Sequence, residues 1–252
     1  MSKKTILAVT VAALAFGQMA KAQTNLQMFY DFGSDRKFVT STLEGFYNDS
    51  WGNTFFFIDH DFGFKANENQ TKAPSGTYME FARCLNFWHN VPLLKNFSFQ
   101  VEYNGGIYKN YFINSALLLG IDYFAHSADF NNTFNFKILY KKIAATHSNV
   151  PMQFTFVWGM QDIFGVKGLR FSGFADAWWE DHYLFTDEKG AALASPELSH
   201  FVFISEPQLW YNVGQWIGVP NFNIGGEVEL SYDFGSSKGF WVRPCLGGKW
   251  VF

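Results

Sequence analysis

Charge is scarce in this chain: Lys, Arg, Asp and Glu make up 16% of its 252 residues. A soluble domain of this size normally carries more charge on its surface. No long basic run occurs, so a nucleic-acid partner is not expected. Long hydrophobic runs are scarce as well. Beyond the first 22 residues the best candidate for a helical span, Ser115 to Phe124, is interrupted by Gly120 and Asp122 and is too short to cross a bilayer. Cysteine is limited to Cys84 and Cys245. They lie far apart, on segments that are not expected to be neighbours, and an oxidising compartment is the setting in which they could pair. A phosphate-cradling glycine loop, zinc-ligand spacing and a nucleophile elbow are all missing from the sequence. His60 and His200 have no other His or Cys at ligand spacing. No catalytic residue, metal or cofactor is therefore expected.

The first residues indicate export. Lys3 and Lys4 precede a mostly apolar stretch from Ile6 to Phe16, and Ala20-Lys21-Ala22 supplies a small-x-small cleavage site before Gln23. This is the pattern of a secretory signal peptide over residues 1–22, too short to span a membrane. No cysteine follows the cut, so a lipoprotein anchor is not expected. Removing Lys3, Lys4 and Lys21 takes the formal charge from −3 to −6.

Aromatic residues are abundant, with 31 Phe, 11 Tyr and 9 Trp, and they alternate with polar ones. In NFSFQVEYNG (96–105), Phe97, Phe99, Val101 and Tyr103 are separated by Ser98, Gln100 and Glu102. A two-residue period is that of a β-strand with one apolar and one polar face. The period recurs twelve times between residues 23 and 252. Met79, Phe81 and Leu85 oppose Tyr78, Glu80 and Cys84, with Arg83 breaking the apolar face. Phe134, Phe136, Ile138 and Tyr140 oppose Asn135, Lys137 and Lys141. Val228, Leu230 and Tyr232 oppose Glu227, Glu229 and Ser231. Long connections, KANENQTKAPSG and DHYLFTDEKGAALASPELS, follow the third and ninth strands, whereas compact turns follow the second, eighth and tenth.

Twelve strands predict one all-β domain over residues 23–252, a transmembrane antiparallel β-barrel in the outer membrane of a Gram-negative bacterium. Single-chain bacterial barrels carry an even number of strands, short periplasmic turns and longer outer loops. The polar faces mix a few charges of both signs with Ser, Thr, Asn and Gln, as a lumen does, while Trp and Tyr at strand ends suit two interfacial girdles. Closure also removes strand edges, which lipid cannot hydrogen-bond. The final Phe252 resembles the terminal aromatic signal read by the barrel-assembly machinery. The expected partners are thus that machinery, outer-membrane lipid and a small polar solute.

A twelve-stranded lumen is narrow, so its polar groups form a binding track. The ninth strand, LRFSGFADAWWED, turns Arg170, Phe174, Asp176, Trp178 and Glu180 to one face. Flat rings stack on planar solutes, and carboxylates and Arg hydrogen-bond hydroxyls and base edges. Asp59, Asp61, Glu80, Glu206, Glu227, Glu229, Arg243 and Lys249 are placed on the same inner wall. The competing reading is that opposite charges pair across the lumen and plug it.

FFFIDHDFGF, GTYMEFARCLNF and RFSGFADAWWED, in that order, resemble segments of the Tsx-type nucleoside-specific channel-forming porins and of an uncharacterised Tsx-like branch. The matching residues are Phe55, Phe57 and Asp59; Met79 and Glu80; and Phe171, Phe174, Asp176 and Trp178. One departure is that Arg83 is followed by Cys84 and not by an aromatic residue. The resemblance implies a twelve-stranded barrel with weak nucleoside sites along a narrow pore, and hence passive diffusion of small polar solutes, nucleosides first among them. Two other classes stay open. One is a barrel enzyme such as an outer-membrane phospholipase, suggested by His147-Ser148-Asn149. Neighbouring strand residues point to opposite faces, however, so that pair is better read as a polar loop before Pro151. The other is a plugged structural barrel.

Overall fold

The computed structural model describes residues 23–34, 36–63, 74–108 and 112–252. The expected signal peptide lies outside the described residues. Thirteen strands run β1 (Gln23–Asp31), β2 (Val39–Asp49), β3 (Gly52–Phe62), β4 (Gly76–Leu85), β5 (Phe97–Tyr108), β6 (Phe112–His126), β7 (Asn132–Ile143), β8 (Met152–Gln161), β9 (Leu169–Thr186), β10 (Ala192–Ser205), β11 (Gln208–Tyr211), β12 (Phe222–Tyr232) and β13 (Phe240–Val251). Strands adjacent in sequence pair antiparallel, β10 and β11 excepted, and β13 returns to pair with β1. The sheet is therefore a closed barrel. Its twelve staves include one in two pieces, since β10 and β11 both pair with β9 and β12.

The split in that stave has a local cause. Pro207 has no N–H to give the ladder, and Gly173 on β9 lies opposite with φ +156°. A Cβ on Gly173 would stand 2.4 Å from the Glu206 carbonyl oxygen. Ser205 Oγ and Glu206 N both donate to the Phe174 carbonyl, at 2.8 and 3.0 Å, and hold the two pieces in line. The sequence reads this stretch as one uninterrupted tenth strand.

A second departure concerns the connection after the ninth strand. DHYLFTDEKGAALASPELS is not a loop: β9 continues to Thr186 and β10 begins at Ala192. The turn itself is only DEKGA, where Asp187 Oδ1 accepts from Lys189 N and Ala191 N at 2.8 and 2.9 Å and Gly190 takes φ +80°. The β10 register shifts between Ala192 and Glu197, the interval that holds Pro196. Beyond Trp178, β9 has lost β8 as a neighbour and pairs with β10 as a projecting ribbon. Length thus does not separate the two rims: the connection between β4 and β5, at the rim where β1 begins, covers residues 86–96.

Strand parity sorts the side chains. Facing outward and exposed are Met79 and Phe81, Leu117 and Ile121, Phe136 and Ile138, Ile224, and Val242 and Leu246. Aromatic pairs gather at the rim where β1 begins: Trp51 on Phe87, Phe97 on Tyr123, and Trp216 donating from Nε1 to Tyr211 Oη at 2.8 Å. Facing inward and buried are Gln27, Gln100, Glu102, Asp122, Gln153, Glu229 and Arg243. The polar faces line the interior and the apolar faces cover the outside, the reverse of a soluble barrel.

The interior is not polar throughout. Leu118, Leu139, Ile143, Val202, Ile204 and Trp178 form a buried apolar cluster, joined by Phe174 and by Phe234 from the β12–β13 connection. This cluster lies toward the rim that carries the projecting ribbon. Cys84 on β4 and Cys245 on β13 both turn inward and remain free thiols.

Candidate functional site

The lumen collects the expected residues because all of them share inward parity. On β3, Asp59 and Asp61 each accept from a threonine of β2, from Thr42 Oγ1 at 2.6 Å and Thr40 Oγ1 at 2.8 Å. On β4, Glu80 accepts from Tyr78 Oη at 2.6 Å. On β12, Glu227 accepts from Gln208 Nε2 at 2.5 Å, and the same glutamine accepts from Trp210 Nε1. Glu206 occupies the break between β10 and β11. Asp59, Glu206, Glu227 and Glu229 lie close enough to feel one another's charge. Asp59, Asp61, Glu80, Glu206 and Glu227 sit deep in the barrel yet each keeps part of its surface open.

Glu229 and Arg243 behave differently. Arg243 Nη1 donates to Glu229 Oε1 at 2.5 Å across the β12–β13 ladder, with both side chains buried. Ser231 Oγ donates to the same carboxylate, and Arg36 reaches in from the β1–β2 connection to the other oxygen at 2.6 Å. These residues form a structural knot on this part of the wall. Arg36 escaped the sequence reading because alternation says nothing about connections.

β9 presents Arg170, Phe174, Asp176, Trp178 and Glu180 inward, as its parity demands. Phe174 and Trp178 pack against the apolar cluster, so only part of their ring surface is free. Asp176 Oδ1 and Trp178 Nε1 are buried and have no hydrogen-bond partner among the described residues. Such orphans one strand period apart mark a place for water or a polar solute. Arg170 stands opposite Trp210 near the rim where β9 begins.

Several inward residues were not singled out as site residues from the sequence. Lys141 Nζ donates to Gln153 Oε1 at 2.8 Å and lies 3.8 Å from the centre of the Trp178 ring. Glu102 accepts from Gln100 Nε2 and Asn104 Nδ2 at 2.7 and 3.2 Å. Asp122 accepts from Asn135 Nδ2 at 2.8 Å. Their alternation signal equals that of the chosen residues, and they are as buried as Asp176, Glu229 and Arg243, so nothing in the sequence sets them apart.

A smaller polar group lies on the projecting ribbon. Asp181 Oδ1 and Oδ2 lie 2.6 and 3.0 Å from His200 Nδ1 and His147 Nδ1. The hydrogen bond from His200, then that from His147, holds the Asp181 carboxyl below the usual carboxylate range. Ser148 Oγ donates to the Trp179 carbonyl at 2.6 Å and is not paired with His147.

The chain belongs to the family described as Domain of unknown function (DUF5020), whose profile matches residues 22–252. None of the curated proteins matches it. Among solved structures, the NanC porin in a rhombohedral crystal form superposes with a TM-score of 0.52 at 8% identity, covering 91% of this chain and 99% of that one. The likeness shows a shared barrel fold. A BenF-like porin from Pseudomonas fluorescens Pf-5 is more distant, with a TM-score of 0.41 at 8% identity, covering 93% of this chain and 99% of that one.

Proposed function

We propose that the chain is a passive channel for small polar solutes in the outer membrane of a Gram-negative bacterium, delivered there after removal of residues 1–22. One observation carries this reading. The closed sheet faces outward with exposed apolar side chains and inward with hydrogen-bonded polar ones. An exterior of that kind suits acyl chains, and a closed barrel leaves no strand edge for lipid to satisfy. Outer-membrane lipid and the barrel-assembly machinery are its partners. No chemical step is assigned, and solutes move down their gradient through weak contacts.

Nucleosides are the solute class favoured by the Tsx-like segments and by the neighbouring ring and carboxylate groups of Phe174, Asp176 and Trp178. Rings stack on bases, and Asp176 Oδ1 has a free lone pair for a sugar hydroxyl or base N–H. Single-channel recordings in planar bilayers test this reading. Adenosine and thymidine are expected to block current partially, and Phe174→Ala or Trp178→Ala to weaken that block. A current indifferent to both nucleosides removes the nucleoside reading and leaves a channel of other specificity.

The apolar cluster around Leu118, Leu139 and Trp178 favours a second reading, a barrel plugged by its own side chains. Folded protein that passes no current selects it. The barrel-enzyme reading gains only if phospholipid is hydrolysed in a manner dependent on Ser148.

A further inference from the structure

Lumen charge is sorted by sign. Three cations lie against tryptophan rings: Lys141 Nζ 3.8 Å from the Trp178 centroid, Lys249 Nζ 4.3 Å from that of Trp210, and Arg243 Cζ 4.8 Å from that of Trp241. Exposure of these residues is 8%, 8% and 1%. The ring face supplies negative potential to each cation and holds it against the wall. Arg243 is further engaged by Glu229.

The carboxylates are arranged in the opposite way. Asp59, Asp61, Glu80, Glu206 and Glu227 are half-buried. Among the described residues no basic group lies within 4.0 Å of any of them. The side-chain donors they do have are neutral: Thr42, Thr40, Tyr78 and Gln208. A separate observation points to a ligand on this wall. Asp176 is 8% exposed, feels the charges of Glu80 and Glu102 and, against them, of Lys141 and Lys137, and has an Oδ1 with no partner among the described residues. An acceptor buried that far without a donor is costly unless something mobile supplies one. Three half-buried cations do reach the lumen, and Arg36 among them is engaged by Glu229. Lys137 stands opposite Asp122 on the ladder, and Arg170 lies toward the near rim.

We infer that this lumen selects by charge, admitting cationic solutes, such as protonated amines and small metal cations, in preference to anions. The inference rests on the channel reading and deepens it. Low-dielectric walls focus the field of the unpaired carboxylates on the path, raising the local concentration of cations and lowering that of anions. Lys141 and Lys249 still act on Glu80, Asp176 and Glu227 from their ring faces, but they form no ion pair with Asp59, Asp61, Glu80, Glu206 or Glu227, so they reduce this field without cancelling it.

The test is the reversal potential of the reconstituted full-length mature protein in a KCl gradient at mildly alkaline pH. The expected potassium-to-chloride permeability ratio is about three or more. The triple variant Asp59→Asn, Glu206→Gln, Glu227→Gln is expected to bring that ratio close to one. If it fails to fold, as judged by heat-modifiable gel migration, two single variants carry the test. Glu80→Gln removes one lumen carboxylate, and Trp178→Leu frees Lys141 from its ring; each is expected to lower the ratio. Current with a ratio of one or below in the parent overturns the inference while leaving the channel. An unchanged ratio in the variants overturns it too. Folded protein that passes no current overturns the channel reading and this inference together.

Discussion

Arg36 and Glu229, 193 positions apart in sequence, meet at 2.6 Å inside the barrel. The contact draws the β1–β2 connection onto the wall formed by β12 and β13. Arg36 is about a quarter exposed, so its ion pair is partly screened and contributes at most about 1 kcal/mol. Arg36→Ala is therefore expected to leave global stability nearly unchanged while speeding amide hydrogen exchange around residues 36–38. Unchanged exchange there would show that other contacts hold the segment.

The partnership of Glu229 with Arg243 has a larger effect. Both side chains are buried, and removing Arg243 leaves the Glu229 carboxylate with only the partly exposed Arg36 and the neutral Ser231 to compensate it. Arg243→Met should lower stability by about 3–5 kcal/mol, and Glu229→Gln added to it should restore part of the loss. Equilibrium denaturation in detergent micelles or lipid vesicles measures both. A single variant as stable as the parent would contradict the compact knot of Arg36, Glu229, Ser231 and Arg243.

Ile138, 54% exposed on the outer face of β7, reports on the surroundings of the barrel. If those are acyl chains at mid-depth, Ile138→Arg lowers stability by about 2–4 kcal/mol. In water the same exchange would fall within about 0.5 kcal/mol. Folding into vesicles against a urea series distinguishes the two.

The projecting ribbon should respond to acid. The Asp181 carboxyl is held below its usual range, first by its hydrogen bond to His200 and then by that to His147. A depressed acid stabilises the folded form above its unfolded-state pKa, and that contribution is lost as pH falls through the folded-state value. Protection of residues 144–148 from hydrogen exchange should hold at neutral pH and decline only below the ordinary carboxylate range. Asp181→Asn should remove the acid-dependent step. A decline confined to the range near neutrality would assign the effect to other groups.

Much of the fold was legible because a barrel wall obeys a single rule. Each strand has two environments, and a period of two assigns every side chain to one of them. Asp59, Glu80, Asp176 and Glu227 all turned inward for that reason. What stayed illegible depends on the third dimension. Leu118, Leu139, Val202 and Ile204 share inward parity with the charged residues, yet they meet as an apolar cluster only because β6, β7, β9 and β10 curve around the same end of the lumen. Arg36 sits on a connection, where periodicity is silent. The β9–β10 ribbon reads as a loop in sequence because its exposed strands mix Pro196, Asp181 and Glu197 with apolar residues and lack a clean alternation. Nor does sequence say which lumen cation finds a ring, since Lys141 and Trp178 reach each other across β8.

Everything proposed depends on the apolar side of each strand meeting lipid while the polar side meets water. Spin labels placed one at a time from residue 134 to 141, in protein folded into vesicles, test this most directly. Sites 134, 136, 138 and 140 should be accessible to lipid-soluble oxygen and closed to a water-soluble relaxation agent. Sites 135, 137, 139 and 141 should be closed to oxygen. Absence of this two-residue alternation, or outward sites open to the aqueous agent, would contradict the account.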